Sequence, residues 1–248
     1  MIIARPGYEI ITDISMYATE ELMDIELAAR NCYKSEGLIK DQGESAKDLI
    51  KRLIENGHEA MLEFKDIEVR FICDRGVSHE LVRHRLASFS QESTRYCNYS
   101  KDRFGNQITV IEPSYLKPGT NAYAAWFLAC GHAEKAYMKM LEDHCSAQEA
   151  RCVLPTCLKT ELFMKANYRE WRHILKERTS AHAHPQMREL MLPLLVELYN
   201  RIPVIFDDIY ALRFGKEDER TYQINMDQVL NKKALEEALC QIDVKEDS

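Results

Sequence analysis

The sequence predicts an α/β protein with a small sheet and several long helices. Apolar Ile67, Val69 and Phe71 alternate with charged residues, which is the period-two pattern of a half-buried strand. An alanine-rich segment over residues 121–142 favours a long helix. No repeat, low-complexity segment or convincing linker divides the 248 residues. We therefore expect one domain.

The amino-terminal part is expected to form a strand over residues 8–11 and then two helices. The first helix, over 19–33, has apolar residues at helical spacing, and Thr19 is placed to cap its free backbone amides. The second helix, over 45–55, carries one apolar stripe and ends before Gly57, since glycine suits the left-handed turn after a helix.

The middle of the chain is expected to follow the alternating strand with a helix, a polar segment and a second strand. The helix is predicted over residues 78–87. Residues 88–98 are rich in hydroxyl groups and are expected to form a loop or an irregular strand. A short strand over 108–111 is predicted to end at Pro113, because proline lacks the amide hydrogen that a ladder needs.

The carboxy-terminal half is expected to be almost entirely helical. After the alanine-rich helix, a short helix is predicted over 146–152, and residues 158–177 are predicted to be mostly helical. Pro185 fits the first turn of a helix over about 185–200. The charged segment after about residue 228 is expected to be peripheral. The apolar stripe of the 185–200 helix is assigned to the core and comprises Leu190, Met191, Leu194, Leu195 and Leu198.

Composition disfavours several classes of protein. The net charge of −7 argues against general nucleic-acid binding. No apolar run approaches the length of about 18 residues that a membrane span needs, and no secretory signal is evident, so a cytoplasmic location is expected. The eight cysteines form no C-x-x-C pair, and their irregular spacing favours reduced, mostly buried thiols over a disulfide framework or a zinc site.

The densest group of reactive and cationic side chains lies between residues 83 and 96. Arg83, His84 and Arg85 are followed by several hydroxyl groups and then by Arg95. Guanidinium groups bind phosphate through two parallel hydrogen bonds, and hydroxyls can complete such a cradle. If the first arginines end a helix and Ser93 lies on the next loop, one pocket could hold two anions. The alternative is a solvated basic helix face beside a turn.

The order Arg-His-Arg, seven further residues and then Ser resembles the signature of the flavin-dependent thymidylate synthases. Arg83, His84, Arg85 and Ser93 fit this pattern, and Arg95 extends it with Tyr96 beside it. The likeness runs from about residue 20 to about residue 200. It also includes Ala28–Arg30, Gly57–Glu59, Arg151 with Val153–Pro155, Asn167, Arg169 and Arg178.

The resemblance implies a fold, a reaction and an assembly. The chain is expected to be a single flavin-dependent thymidylate synthase domain over 1–248, with a small, mostly antiparallel sheet and a peripheral tail from about 228. The implied reaction is the reductive methylation of dUMP to dTMP. Methylenetetrahydrofolate would donate the one-carbon unit, and FAD reduced by NADPH would supply the hydride. The implied assembly is a homotetramer with active sites shared between subunits.

The resemblance also implies roles for individual residues. Arg178 is the expected catalytic residue, because a permanent cation beside the uracil ring would favour its ionised form and make C5 nucleophilic. Ser93 is expected to be a ligand rather than a nucleophile, because no base is placed to activate it. Flavin contacts are expected from His58, Ala60, Glu63, Arg83, His84, Arg85, Gln91, Asn167, Arg169 and His173. Nucleotide contacts are expected from Glu80, Arg83, Gln91, Ser93, Thr94, Arg95, Arg151 and Arg178.

Three of these positions depart from the family pattern. Ala60 stands where a hydroxyl group that contacts the flavin is frequent in the family, so the resemblance implies one hydrogen bond fewer to the flavin. Glu80 stands where glutamine is frequent, and a carboxylate suits the base or ribose better than the phosphate. His173 stands where asparagine is frequent.

Three other functions use the same residues differently. A nucleotide- or RNA-binding module without catalysis would use the arginines but needs no flavin. A metal-dependent hydrolase would rest on His182 and His184, but no acidic partner follows at a diagnostic spacing, so no metal site is expected. A folate-only thymidylate synthase needs an activated cysteine, and none of the cysteines has a fitting context. Tyr96 and Tyr99 could stack on a base or pack in a core.

Overall fold

The computed structural model describes residues 1–15 and 18–215 as a mixed α/β structure. In chain order the strands are β1 (Ile2–Ala4), β2 (Gly7–Ile10), β3 (Asp66–Asp74), β4 (Ala87–Gln91), β5 (Thr109–Ile111) and β6 (Lys159–Asn167). The α-helices are α1 (Thr19–Asn31), α2 (Glu44–Glu55), α3 (Arg75–Leu81), α4 (Asn121–Glu142), α5 (Ala147–Ala150), α6 (Tyr168–Arg178), α7 (Pro185–Arg201) and α8 (Pro203–Phe214). A 3-10 turn, Glu59–Phe64, precedes β3.

Four strands form one antiparallel sheet in the order β2-β3-β6-β4, and β1 pairs with β5 in parallel beside it. The predicted strand at Ile67, Val69 and Phe71 is confirmed, and all three side chains are fully buried. Helix α6 packs against this apolar face, where the Trp171 indole donates to the Ile67 carbonyl oxygen at 2.9 Å. The sequence prediction of a small antiparallel sheet with several helices is therefore confirmed.

Strand β6 overturns the prediction that residues 158–177 are mostly helical. Thr160, Leu162, Met164 and Ala166 are buried while their neighbours are less so, which is the period of a strand. The segment is central, with β3 on one side and β4 on the other, and this pairing satisfies its backbone groups. The helical part begins only at Tyr168.

The structure shifts several predicted helix boundaries. The helix expected over 78–87 ends at Leu81, because the chain turns and Ala87 then enters β4 to pair with β6. The prediction that Thr19 caps α1 is wrong, since Ala18 precedes the helix in the left-handed region and Thr19 is its first residue. The helices predicted over 45–55, 121–142 and 185–200 are confirmed within a residue or two.

Two apolar clusters stabilise the described structure. The main core lies between the sheet and helices α1, α2, α6, α7 and α8, and it includes the whole predicted stripe of α7. A smaller core beneath α4 contains Tyr99, Val110, Cys130 and Tyr137. Tyr99 thus packs in a core, whereas Tyr96 is 75% exposed.

The cysteines are free but not mostly buried. The structure describes seven cysteines. None of these seven forms a disulfide, and two of them, Cys73 and Cys130, are buried. The expectation of mostly buried thiols is therefore wrong for residues 1–15 and 18–215.

No helix in residues 1–15 and 18–215 is long and apolar enough to cross a membrane. The tail expected from about residue 228 lies outside the described residues.

Candidate functional site

A cluster of ionisable side chains forms where α6 meets the turn after α3. We call Glu80, His84, Glu170, His173 and Arg178 the histidine cluster. The last three lie on α6, which begins where the Asn167 side chain accepts a hydrogen bond from the Glu170 amide at 2.8 Å. His84 lies on the turn between α3 and β4, and its ring meets that of His173 edge to face, with centroids 5.9 Å apart.

Arg178 is held by acceptors on two sides. Its Nε donates to His84 Nε2 at 3.0 Å, and its Nη1 donates to Glu80 Oε2 at 3.1 Å. Its Nη2 lies 3.4 Å from the Glu80 carbonyl oxygen. A guanidinium group can only donate, so His84 Nε2 must carry a lone pair. The Arg178 side chain is still 20% exposed, which leaves its cation accessible to a ligand.

His84 is held in its neutral form. Its pKa is lowered from 6.5 to about 4, chiefly by burial and also by charge interactions with Arg178 and His173, while Glu177 opposes the shift. On the other ring edge, Nδ1 lies 3.6 Å from Glu170 Oε1. Burial also raises the pKa of Glu170, whose side chain is only 10% exposed.

This depressed pKa predicts a pH-dependent stability. The unfolded chain protonates His84 near pH 6.5, whereas the folded chain does so only near pH 4. The contribution of neutral His84 to the unfolding free energy is therefore fully present above pH 6.5 and is lost as the pH falls toward 4. Between pH 7 and pH 5 the wild type should lose about 2 kcal/mol more unfolding free energy than His84→Gln. Urea titrations at pH 7 and pH 5 and at one protein concentration measure this difference in unfolding free energy. Equal losses of unfolding free energy in the wild type and in His84→Gln would contradict the prediction.

The surroundings of the histidine cluster contain most of the residues that were expected to hold a flavin. Arg169 Nη1 pairs with Glu63 Oε1 at 2.6 Å, and both side chains are about half exposed. Arg169 and His173 are exposed one helical turn apart on α6. The Asn167 side-chain oxygen is used as a helix cap. His58 and Ala60 are exposed at the start of the 3-10 turn.

A second group lies beyond the other end of β4. We call Gln91, Ser93, Thr94, Arg95 and Arg151 the hydroxyl–arginine cluster. Arg151 Nη1 lies 3.4 Å from the Thr94 hydroxyl, and the Arg95 amide donates to Ser93 Oγ at 3.3 Å. The Gln91 amide group donates to the hydroxyls of Ser78 and Thr160 at 2.8 and 3.2 Å, which fixes the end of the strand.

The two clusters are separated by the length of β4. The strand has five residues, so its ends lie about 13 Å apart at 3.3 Å per residue. Ala87, beside the histidine cluster, pairs with Ala166, whereas Gln91 pairs with Leu162. The prediction that Arg83, Arg85 and Ser93 line a single pocket stays a prediction for one chain, since β4 lies between the two arginines and the serine.

Four arginines of the signature region have no acidic partner among the described residues. Arg83 and Arg85 are exposed on either side of buried His84, and neither side chain has a described hydrogen-bond or ion-pair partner. The Arg95 side chain donates to the Gln148 side-chain oxygen at 3.2 Å, and its guanidinium carbon lies 5.5 Å from the centre of the Tyr96 ring. Among the described residues, the Arg151 side chain lies 3.4 Å from the Thr94 hydroxyl and has no acidic partner. In a chain with 40 acidic and 33 basic residues, cations left without acidic partners indicate anionic ligands.

Comparison with known proteins identifies the family. A family model described as thymidylate synthase complementing protein matches residues 14–204. The flavin-dependent thymidylate synthase of Corynebacterium aurimucosum is 30% identical over 78% of this chain and 82% of its own length. That of Geobacter sulfurreducens is 31% identical over 74% of this chain and 80% of its own length.

This chain belongs to the flavin-dependent thymidylate synthase family.

A solved structure shows the same fold. The UMP/dUMP methylase PolB from Streptomyces cacaoi, bound with 5-bromo-dUMP, superimposes with a TM-score of 0.67 at 20% identity. The alignment covers 88% of this chain and all of the other. The small antiparallel sheet with its helices is thus a fold that this family member shares with a nucleotide methylase.

Metal binding at His182 and His184 finds no support in the described residues. His184 Nδ1 lies 3.3 Å from the Gln186 amide and caps α7. Within the described ranges, the group with metal-compatible spacing is instead His84, Glu170 and His173, whose ligand atoms lie within 4.8 Å of one another. Arg178 donates to His84 Nε2, so Nδ1 of the neutral ring carries the proton and has no lone pair for a metal.

Sequence reasoning missed Glu170 and Arg172. Glu170 stands three residues after the capping residue Asn167, where an acidic side chain is ordinarily explained by the helix dipole. Arg172 lies between Arg169 and Arg178 in a group of arginines whose charge suggests an anion site, yet its side chain is 1% exposed and pairs with Glu59 and Asp208. Neither the spacing nor the residue type reveals burial.

Proposed function

We propose that this chain converts dUMP to dTMP by reductive methylation, with methylenetetrahydrofolate as the one-carbon donor. The observation that carries the proposal is the Arg178 guanidinium group held by neutral His84, together with four arginines that have no acidic partner among the described residues. Phosphorylated ligands need such cations, and a uracil ring that becomes anionic needs a fixed one. Family membership supports the same reaction.

The residues around the histidine cluster fit FAD. Arg83 and Arg85 are exposed and have no described partner, so both can donate to the diphosphate. His84, His173 and Arg169 would line the remainder of the site, with Asn167, His58, Ala60 and Glu63 beside it. When bound and reduced by NADPH, the flavin supplies the hydride. The chain itself binds, orients and excludes water from the reacting groups.

The hydroxyl–arginine cluster fits the phosphate and sugar of the nucleotide. Arg95 and Arg151 offer bidentate donors without a competing carboxylate, and the hydroxyls of Ser93 and Thr94 lie beside them. Gln91 would hold this loop in place and contribute one side of both sites. Glu80 would approach the base or the ribose rather than the phosphate, since two negative groups repel each other.

Arg178 would perform the electrostatic part of the reaction. Its guanidinium group keeps its charge at any working pH, so it can stabilise the negative charge that develops on the uracil oxygens. His84 and Glu80 hold its Nε and Nη1 and so set its direction. A positioned cation lowers the barrier without reorganising during the reaction.

The separation of the two clusters supports an assembly with shared sites. A nucleotide held at one end of β4 lies about 13 Å from a flavin held at the other end of the same strand. Two subunits can bring opposite ends of their strands together, so a homotetramer with active sites between subunits joins the clusters. Each subunit would be one domain, and the enzyme would work in the cytoplasm.

An absorption spectrum followed by titration with dUMP tests the function. The purified protein should take up FAD, show the oxidised-flavin band near about 450 nm and change that band when dUMP binds. The complete mixture with methylenetetrahydrofolate and NADPH should form dTMP, and Arg52→Ala, at an exposed arginine of α2, is the matched control. A colourless protein that takes up no FAD but binds dUMP would leave the non-catalytic nucleotide-binding module as the function.

A further inference from the structure

We propose that Glu170 is a positioning residue that fixes the tautomer of His84 and thereby the direction of Arg178. The inference rests on the proposed role of Arg178 and adds a residue that no motif match had assigned. It follows from three neighbouring groups: a guanidinium donor, an imidazole with two unlike nitrogens, and a carboxylate.

The first step concerns the ring nitrogen that faces Arg178. Arg178 Nε carries a hydrogen and donates it to His84 Nε2 at 3.0 Å. A neutral imidazole has one N–H and one lone pair, so this contact requires the proton to be on Nδ1. With the proton on Nε2, two N–H groups would face each other and Arg178 would turn away.

The second step concerns the group that Nδ1 faces. Glu170 Oε1 lies 3.6 Å from Nδ1, and His173 offers this carboxylate a second imidazole, since one ligand atom from each of the three residues lies within 4.8 Å of the others. A carboxylate can only accept, so it favours the tautomer with a proton on Nδ1. The 3.6 Å distance is longer than a hydrogen bond, so the preference is electrostatic: the carboxylate stabilises an N–H dipole that points toward it.

The third step concerns the cost of burying Glu170. Its side chain is only 10% exposed, and burial disfavours its charged form. A glutamate whose only role was to interact with the helix dipole of α6 would destabilise the fold by facing inward. The same dipole interaction is available at an exposed position, without the cost of burial. An inward carboxylate beside a histidine is the arrangement that orients imidazoles in many enzymes.

Two variants and one control separate positioning from simple packing. Glu170→Leu removes the acceptor, whereas Glu170→Gln keeps an oxygen that can accept from Nδ1. Glu177→Gln is the matched control, since Glu177 lies on the same helix, is exposed and influences His84 only through its charge.

Solid-state nitrogen NMR of protein labelled with 15N-histidine, purified with its flavin, reads the tautomer directly. The His84 signals are assigned as those that disappear in His84→Gln. We expect the proton on Nδ1 in the wild type and in Glu177→Gln, and a shift toward Nε2 in Glu170→Leu. A wild-type His84 protonated on Nε2 overturns the inference without any variant.

Kinetics give the second measurement. In Glu170→Leu, kcat for dTMP formation should fall roughly tenfold, the lower end of what losing a histidine-orienting carboxylate costs, while KM for dUMP changes little. Glu170→Gln should recover most of the loss. A kcat for Glu170→Leu equal to that of Glu177→Gln overturns the inference. If the wild type forms no dTMP, the proposed function fails, and the NMR result still decides the tautomer.

Discussion

Replacing Arg178 with alanine is expected to lower kcat for dTMP formation by about a hundredfold to a thousandfold, the usual cost of removing a donor aimed at developing negative charge. The guanidinium group is fixed by His84 and Glu80 at 3.0 and 3.1 Å, so it is oriented before the substrate arrives. An alanine leaves the uracil oxygens without a cation. Single-turnover formation of dTMP at saturating dUMP measures the effect.

Two controls show whether the charge or its geometry matters. Arg178→Lys keeps a positive charge but cannot donate to His84 and Glu80 at once, so it should recover only part of kcat. Arg52→Ala removes an exposed arginine of α2, whose Nε donates to the Asp48 carbonyl oxygen of the same helix, and should leave kcat unchanged. Turnover of Arg178→Ala near that of wild type would refute the assigned role.

Replacing Arg172 with methionine is expected to lower the unfolding free energy by about 3 kcal/mol, because it leaves Glu59 without its cation and Asp208 with only Lys176, 3.6 Å away. Arg172 is 1% exposed on α6 and donates to Glu59 at 3.0 Å and to Asp208 at 2.7 Å. It also donates to the Ile205 carbonyl oxygen. Asp208 is 48% exposed, so water relieves part of the loss, and the figure lies at the low end for buried pairs.

Arg172 also joins elements that carry the candidate flavin site. Glu59 opens the 3-10 turn that bears Ala60 and Glu63, and Asp208 lies on α8. The pKa of Asp208 is lowered chiefly by its hydrogen bonds and charge interaction with Arg172, although burial opposes this. Loss of the arginine should therefore loosen the turn and weaken FAD uptake as well as the fold.

Thermal unfolding at fixed protein concentration measures the stability effect. For a chain of this size, 3 kcal/mol corresponds to a fall in Tm of about 6–12 °C. Adding Glu59→Gln and Asp208→Asn to Arg172→Met should restore part of the loss, because no unpaired carboxylate then remains. A fall below about 0.5 kcal/mol for Arg172→Met would show that the network contributes no net stability.

Local sequence patterns predicted the elements whose periodicity is strong and whose ends carry their own signals. Helix α2 has one apolar stripe and ends before Gly57, which has a φ of 72°. The β3 strand alternates, and Pro185 opens α7 in its first turn. In these cases residues close in the chain determine the conformation, so the pattern and the structure agree.

Strand β6 shows where local information was insufficient. Its alternation at Thr160, Leu162 and Met164 is clear once burial is known, but its residues favour a helix about as well as a strand. Its conformation follows from pairing with β3 and β4, which are distant in the chain. Long-range hydrogen bonds therefore outweighed local preference.

The sequence by itself determined the family of this protein and the residue types available for its chemistry. The order Arg83-His84-Arg85, with Ser93 after seven residues, was sufficient for that. Only the tertiary structure decided that β4 separates these residues into two clusters, that Arg178 contacts His84, and that Glu170 is buried beside it. These features depend on how the sheet and α6 pack together, and packing between distant segments leaves no periodic pattern in the sequence.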